Sequence, residues 1–255
     1  MCFDLDSEPP IPVIAGAAIS HTDLVLEAAD GNRLAAFLAT PDEPAQVGMV
    51  VLPDVRGLYH FYEELALRFA ERGIASIAFD YFGRTAGVEK RGEEFEWMPH
   101  VQQTTDDGIQ ADARAAVERL RLEGCRTIFT VGFCFGGRAS WVAAASGHGL
   151  AGAIGFYGHP TRPGMGADAG SSAADRAPRM TCPVLALQAG IDANITAEAN
   201  AEFDAALAAA GVEHEIVTYE GAPHSFFDRT QAEHADASAN AWERVLAFIE
   251  LHSTS

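Results

Sequence analysis

The residues best suited to chemistry are a cysteine, an aspartate and a histidine, each placed after a strand-like apolar run. Cys134 stands in a Gly-x-Cys-x-Gly-Gly pattern over residues 132–137, directly after the run 127–133. Glycines on both sides of a nucleophile permit the tight strand-to-helix turn that exposes its side chain. The amides and dipole at the start of a helix favour a thiolate there. The pattern predicts a nucleophilic cysteine, and the alternative is a buried structural cysteine beside a glycine-rich strand end.

A cysteine nucleophile needs a base, and that base needs an acceptor that fixes its tautomer. Asp192 follows the apolar run 184–188 and a small turn, and His224 lies in the loop after the run 213–219. Nucleophile, acid and histidine follow one another in the order found in α/β-hydrolases. We therefore predict a triad of Cys134, Asp192 and His224.

Other acids and histidines fit these roles less well. Asp175 and Asp204 do not directly follow a strand. Three histidines lie in loops or at loop margins, where a substrate contact stays open: His60, His100 and His159. The remainder stand on predicted strand or helix faces or at a helix end, where solvation or packing explains them: His21, His148, His214, His234 and His252. No ligand spacing indicates a metal site, and we predict no metal and no cofactor.

Acyl transfer also needs two backbone amides aimed at the developing oxyanion. Phe135, which follows the nucleophile, is expected to supply one amide. Val55, in the loop after the apolar run 47–52, is expected to supply the other. Asp54 lies beside Val55, and from the residues alone it is as well explained as a turn or capping residue.

Strand-like and helix-like segments alternate around these residues. The predicted strands cover 23–29, 33–39, 47–52, 74–79, 127–133, 151–156, 184–188 and 213–219, and the predicted helices cover 60–72, 104–123, about 138–146, 197–210 and 234–252. This alternation predicts an α/β fold with a doubly wound, mostly parallel sheet, an antiparallel start and helices on both faces. Sites in such sheets gather at the carboxyl ends of the strands. Two stretches expected to be irregular, 81–103 and 158–180, leave such ends and should overhang the site.

Composition limits the classes of function. The 255 residues suffice for one domain over 1–255, with an irregular arm over 1–20. The formal charge of −19 argues against nucleic acid and anionic membrane surfaces as partners. No leader-like or membrane-spanning segment is visible, which favours a cytoplasmic protein. The 4 cysteines are too sparse for a disulfide framework or a zinc site with paired ligands.

The chain resembles the dienelactone hydrolase family of α/β-hydrolases. The motifs that carry the resemblance are residues 132–137, the turn 189–192 and the segment 221–226. The resemblance implies the α/β-hydrolase fold, a Cys-His-Asp triad, a monomer, and hydrolysis of dienelactone to maleylacetate in the degradation of aromatic compounds. It also implies that Asp54, where the family's best-known residue is glutamate, contacts the resting cysteine.

The resemblance further implies arginines that bind the carboxylate of the substrate. Arg229 looks like one of them and Arg91 like the other, with Phe95 where an aromatic residue is expected and Ser225 beside His224. A solvated charge is the alternative for Arg91. Other arginines that remain open for anion binding are Arg56, Arg84 and Arg138. Residues 95–98 could instead form an apolar lid over a less polar ester.

These observations predict hydrolysis of a small lactone or ester through an acyl-enzyme. One alternative is a general carboxylesterase or thioesterase with the same triad. A less favoured alternative is a non-catalytic relative in which Cys134 senses oxidation.

Overall fold

The computed structural model describes residues 6–167, 170–228 and 230–253, and within these ranges an eight-stranded sheet forms the centre of the fold. Its strands are β1 (Ile19–Glu27), β2 (Arg33–Pro41), β3 (Val47–Leu52), β4 (Ala75–Phe79), β5 (Thr127–Phe133), β6 (Gly152–Phe156), β7 (Val184–Ile191) and β8 (His214–Pro223). The helices are α1 (His60–Ala70), α2 (Gly83–Ala86), α3 (Trp97–Val101), α4 (Asp106–Leu122), α5 (Phe135–Ala144), α6 (Ala173–Arg176), α7 (Ala197–Ala210) and α8 (Ala235–Ser253). None of these helices combines the length and the apolar character that crossing a membrane requires.

The strands lie in the order β1-β2-β4-β3-β5-β6-β7-β8. The β1–β2 and β2–β4 pairs are antiparallel, and every other neighbouring pair is parallel. The predicted doubly wound, mostly parallel sheet with an antiparallel start is therefore confirmed. Strands β3 to β7 are almost continuously apolar because both faces of the sheet are covered by helices.

Two hydrophobic clusters hold the helices on the two faces. Phe61 and Phe69 of α1 and Trp242 of α8 belong to the cluster on one face. Trp141 of α5 and Phe203 of α7 belong to the cluster on the other, and their rings lie 5.0 Å apart. This packing fixes the strand ends from which the candidate site is built.

Several boundaries differ from the sequence-based expectation. Helix α5 begins at Phe135 rather than near Arg138, because the turn is completed within the nucleophile residue itself. Strands β7 and β8 continue past residues 188 and 219, since Ile191 still pairs with Pro223. The stretches expected to be irregular contain short helices, α2 and α3 in 81–103, and α6 with a 3₁₀ turn at 177–179 in 158–180. Strand β1 starts at Ile19, inside the expected arm.

Candidate active site

Cys134 occupies the turn between β5 and α5 in a conformation that L residues rarely adopt. Its φ is 53° and its ψ is −111°. Its N–H donates to the carbonyl of Phe156 at 3.0 Å, and its own carbonyl accepts from the N–H of Gly137 at 3.0 Å. Strained backbone of this kind persists only where the surrounding structure fixes it, and it clusters at functional sites. The half-buried thiol therefore stands at the start of α5, at the carboxyl edge of the sheet.

The glycines around Cys134 allow three segments of backbone to meet. A Cβ added at Gly132 would overlap the carbonyl of Gly136, and a Cβ at Gly136 would overlap the carbonyls of Leu52 and Pro53. The first turn of α5 thus lies directly against the end of β3. This contact brings the loop after β3, with its candidate oxyanion amide, next to the cysteine.

Asp192 and His224 directly follow the neighbouring strands β7 and β8, and the structure brings them together. His224 Nδ1 lies 2.6 Å from Asp192 Oδ2. The aspartate side chain is 1% exposed and the histidine side chain is 32% exposed. The other carboxylate oxygen, Oδ1, accepts from the N–H of Asn194 at 2.8 Å and of Ile195 at 3.2 Å. The carboxylate is thus fixed on both oxygens.

The environment of Asp192 keeps it ionised. Burial raises its pKa, but the hydrogen bonds from His224 and from the Asn194 and Ile195 amides lower it more, and the net shift is downward. A charged acceptor at Nδ1 holds the proton of the neutral imidazole on that nitrogen. The second nitrogen, Nε2, is then free of its proton and able to act as a base.

Tyr157, at the end of β6, connects the elbow with the histidine. Because β6 lies between β5 and β7, Tyr157 stands between the cysteine and the aspartate along the sheet edge. Its ring is 4.9 Å from the His224 ring, and its hydroxyl donates to Asp228 Oδ2 at 2.5 Å. Its φ of 35° is also positive. This buried side chain packs against the candidate base and limits its movement.

The two expected oxyanion donors are available. In the part of the chain that the structure describes, neither the Val55 N–H nor the Phe135 N–H is used in a hydrogen bond. The carbonyl of Asp54, in the same peptide unit as the Val55 amide, accepts from the Gly57 N–H at 3.1 Å. Among the described residues, the loop after β3 therefore presents an unpaired donor beside the start of α5.

Asp54 is fully buried in this loop and is paired with an arginine two residues further on. Its Oδ1 accepts from the Arg56 N–H at 2.8 Å, and its Oδ2 lies 3.3 Å from Arg56 Nη2. Tyr81 is close to both Asp54 and Cys134. Burial raises the pKa of the Tyr81 phenol well above its ordinary value, and the charges of Asp54, Asp80 and Cys134 raise it further. Arg56, one of the arginines considered for anion binding, is thus the ion-pair partner of Asp54.

Arg91 is buried rather than solvated. Its side chain is 4% exposed, and Nη2 contacts Asp80 Oδ2 at 2.8 Å. The guanidinium also lies 4.7 Å from the centre of the Phe95 ring. Arg91 lines a cavity of about 320 Å³ with Tyr59 and Lys90, beside β1 and α1. The structure thus places Arg91 and Phe95 together, with Asp80 as the partner of the guanidinium.

Of the other predicted binding residues, Arg229 lies outside the described residues. Ser225 is buried with a φ of 67°, and its carbonyl accepts from the Asp228 N–H at 3.2 Å. Ser225 thus shapes the turn that follows His224.

The remaining arginines that were open for anion binding also have acidic partners. Arg84 contacts Asp112 at 2.6 Å and Asp30 at 2.7 Å. Arg138 contacts both carboxylate oxygens of Asp106, at 2.8 and 3.0 Å. These pairs tie loops and helices together.

The competing acids have structural partners. Asp175 completes a capping box with Ser172 at the start of α6. Asp204 lies 3.2 Å from His214 Nε2.

His148 is buried with Nε2 at 2.9 Å from Gln110 Oε1, and burial, together with the charges of Arg114 and Arg121, lowers its pKa to about 4.

The histidines in loops have varied surroundings. His60 is exposed near Glu64, and His100 stacks on Phe95 with ring centres 5.0 Å apart. Burial and the charge of Arg162 lower the pKa of His159, and the nearby Asp192 carboxylate offsets this only in part. Among the described residues, no group of three His, Cys, Asp or Glu side chains is arranged to hold a metal ion.

Sequence reasoning missed the tyrosines around the site. Tyr157 directly follows β6, and Tyr81 comes two residues after β4. The signal that could have found them is their position, since polar side chains at the carboxyl ends of parallel strands face the site. Tyr62, within α1, carries no such signal.

Comparison with known proteins identifies the family. A sequence profile of the dienelactone hydrolase family matches residues 34–253. A protein of Yersinia pestis named "Putative carboxymethylenebutenolidase" is 27% identical over 241 residues, covering 88% of this chain and 86% of that protein. The carboxymethylenebutenolidase of Rhodococcus opacus is 26% identical over 259 residues, covering 100% and 98% of the two chains.

A solved structure shows the same fold. The crystal structure of a Klebsiella pneumoniae protein named "Putative Dienelactone Hydrolase" superimposes with a TM-score of 0.81 at 24% identity, covering 91% of this chain and 99% of that one. The profile match covers strands β3 to β8 and nearly all of β2, and it includes Cys134, Asp192 and His224. The chain therefore belongs to the dienelactone hydrolase family, a group of ester and lactone hydrolases with the α/β-hydrolase fold.

Proposed function

We propose that the protein hydrolyses a small lactone or ester through a covalent acyl-enzyme on Cys134. His224 removes the proton from Sγ as the sulfur attacks the carbonyl carbon and a C–S bond forms. The C–O bond to the leaving oxygen then breaks, and His224 returns the proton to that oxygen. A water molecule next gives a proton to His224 and attacks the thioester. The C–S bond breaks, the acid is released, and the sulfur recovers its proton.

The observation that carries this proposal is the short hydrogen bond between His224 and a buried, ionised Asp192 at the same sheet edge as the strained Cys134. A base held in one tautomer next to a nucleophile elbow is the arrangement that acyl transfer needs. The oxyanion of each tetrahedral intermediate would rest on the Val55 and Phe135 amides. In this scheme Asp54 faces the resting thiol while Arg56 neutralises its carboxylate.

For the substrate we propose a carboxylate-bearing lactone, as in the conversion of dienelactone to maleylacetate. Arg229 and Arg91 would bind the carboxylate, with Phe95 and Ser225 shaping the pocket. The family match and the two carboxymethylenebutenolidase relatives support this choice. To bind the substrate carboxylate, the Arg91 guanidinium would have to release Asp80 or contact Asp80 and the substrate at the same time.

A general esterase acting on neutral esters is the second candidate. The observation that favours it is the buried Arg91–Asp80 pair, because separating such a pair leaves an uncompensated buried charge. Phe95 and Trp97 pack against the apolar cluster on the α4 face and would then form an apolar wall for the substrate.

The test is steady-state hydrolysis of dienelactone and of neutral p-nitrophenyl acetate by the wild type and by Cys134→Ala, Arg91→Met and Arg229→Ala. Arg119→Met is the matched control, since Arg119 makes its ion pair with Glu123, one turn later on the surface of α4. The lactonase proposal predicts that Arg91→Met and Arg229→Ala each lose about 10-fold or more in kcat/KM for dienelactone and little in kcat/KM for the neutral ester. If the ratio of kcat/KM for dienelactone to kcat/KM for the neutral ester is the same in Arg91→Met and Arg229→Ala as in the wild type, the general esterase is supported. Turnover by Cys134→Ala would contradict the mechanism.

A further inference from the structure

Two buried tyrosine hydroxyls hold one peptide unit of the loop after β3. Tyr81 Oη donates to the carbonyl of Pro53 at 2.8 Å. Tyr62 Oη accepts from the N–H of Asp54 at 2.8 Å. The carbonyl and the N–H belong to the same peptide, so the plane of that peptide is fixed from both sides. Both tyrosines are buried, and they come from different parts of the chain, α1 and the segment after β4.

The next peptide unit is fixed as well. Its carbonyl, that of Asp54, accepts from the N–H of Gly57 at 3.1 Å. Because C=O and N–H point in opposite directions in a trans peptide, this bond directs the Val55 N–H to the other side. Gly57 has a φ of 88°, and a Cβ there would overlap Asp80 Oδ1. The direction of the candidate oxyanion amide is therefore set by its neighbours and not by Val55 itself.

Tyr81 also contacts the residue that carries the second oxyanion amide. Its ring meets the Phe135 ring edge to face, with centres 5.2 Å apart and planes at 76°. A single side chain thus packs against Phe135 and hydrogen-bonds the loop of Val55. Since burial and the neighbouring charges keep the phenol protonated, it remains a hydrogen-bond donor.

We propose that Tyr81, together with Tyr62, is a positioning residue of the oxyanion hole. The two hydroxyls hold the Pro53–Asp54 peptide so that the Val55 N–H and the Phe135 N–H point at the same oxygen. This inference rests on the proposed acyl-enzyme mechanism. Neither tyrosine takes part in proton transfer, and the contribution is made when negative charge develops on the carbonyl oxygen.

The experiment compares Tyr81→Phe, Tyr62→Phe and the double variant with wild type on p-nitrophenyl acetate. Each single change keeps the ring and removes one hydroxyl. We expect kcat to fall about 10-fold with KM changed less than about 2-fold, since the hydrogen bond serves the transition state. The affinity for a trifluoromethyl ketone, which forms a tetrahedral adduct with a nucleophilic thiol, should fall by a similar factor. The double variant should lose less than the product of the single losses, because both hydroxyls hold one peptide.

Tyr219→Phe is the matched control, since its hydroxyl donates to Asn240 Oδ1 at 3.1 Å, in a pair that joins β8 to α8. Thermal unfolding of every variant shows whether it is folded. Should Tyr81→Phe not fold, Tyr62→Phe carries the same predicted pattern. The inference is overturned if the folded variants match Tyr219→Phe in kcat and in inhibitor affinity while Cys134→Ala is inactive. Turnover by Cys134→Ala would instead overturn the proposed mechanism, and this inference with it.

Discussion

Replacing Asp192 by asparagine removes one charge from the candidate triad and changes little else in shape. The oxygen of the new side chain can keep the hydrogen bonds from the Asn194 and Ile195 amides. The amide nitrogen would then take the place of Oδ2, 2.6 Å from His224 Nδ1 in the wild type. Because that nitrogen is a donor, the histidine must accept through Nδ1 and carry its proton on Nε2. A protonated Nε2 cannot take the proton from Cys134.

The expected loss is large in kcat and small in stability. The same change in a serine protease triad lowers kcat about 10⁴-fold, which is about 5 kcal/mol of transition-state stabilisation. We expect a loss of about 10³ to 10⁴-fold here, because base and acceptor have the same arrangement. The hydrogen bonds from the Asn194 and Ile195 amides remain, and the bond to His224 is reversed and no longer involves a charged group. The free energy of unfolding should therefore fall by at most about 3 kcal/mol.

The assay is hydrolysis of p-nitrophenyl acetate near pH 7.5, with urea unfolding measured on the same preparations. Asp204→Asn is the matched control, because Asp204 also contacts a histidine, His214, at 3.2 Å on the surface of α7. Asp204→Asn should keep wild-type kcat. A folded Asp192→Asn variant that loses less than about 10-fold in kcat would refute the assignment of Asp192 as the acceptor that orients the base.

Three further predictions test the packing and the buried groups. Gly136→Ala should destabilise the protein by about 3 kcal/mol or more, because its Cβ would overlap the carbonyls of Leu52 and Pro53, whereas at Gly92 a Cβ meets nothing within 4 Å. Thermal unfolding of Gly136→Ala and Gly92→Ala checks this, and equal melting temperatures would contradict it. The low pKa of buried His148, about 4 against 6.5 in the unfolded chain, means that the unfolded state binds more protons as pH falls through this range. In the wild type, protonation of His148 in the unfolded state should therefore remove about 3 kcal/mol of stability between pH 6.5 and pH 4. Urea unfolding should show a smaller loss over this pH range for His148→Gln than for the wild type, whereas the exposed-site control His60→Gln should behave like the wild type. Burial raises the pKa of Cys125 to about 11 and of Cys182 to about 12, so iodoacetamide at pH 8 should label Cys134 first in a Cys2→Ser background, and faster labelling of either buried thiol by mass spectrometry would contradict this.

Much of the fold follows from local sequence pattern. Short apolar runs mark β3 to β7 because these strands are buried on both faces, and helix α7 lies at the predicted 197–210 because an Ala-rich segment ends at Gly211 with φ 71°. The glycines beside Cys134 predict the elbow because the tight turn excludes side chains at those positions. The predicted boundaries of the helices and strands are less accurate. The extension of β7 to Ile191, for example, depends on pairing with β8 and cannot be predicted from the sequence of β7 by itself.

The polar partners in the site could not be read from the chain. Nothing local indicates that Arg91 pairs with Asp80, 11 residues earlier, or that the Tyr81 hydroxyl reaches Pro53, 28 residues earlier. Each of these bonds depends on how the loops after β3 and β4 fold over the sheet edge. The pairing of Asp54 with Arg56 is local in sequence, yet several turn conformations would place the two side chains apart.

The covalent intermediate provides the most direct test of the central claim. Wild-type protein is mixed with excess p-nitrophenyl acetate, quenched in acid within milliseconds to seconds, and examined by intact mass and peptide mapping. We expect a burst of p-nitrophenol near one equivalent and an acetyl group on the peptide that contains Cys134, with neither seen in Cys134→Ala. Turnover without any adduct on Cys134, or a burst that persists in Cys134→Ala, would contradict the account.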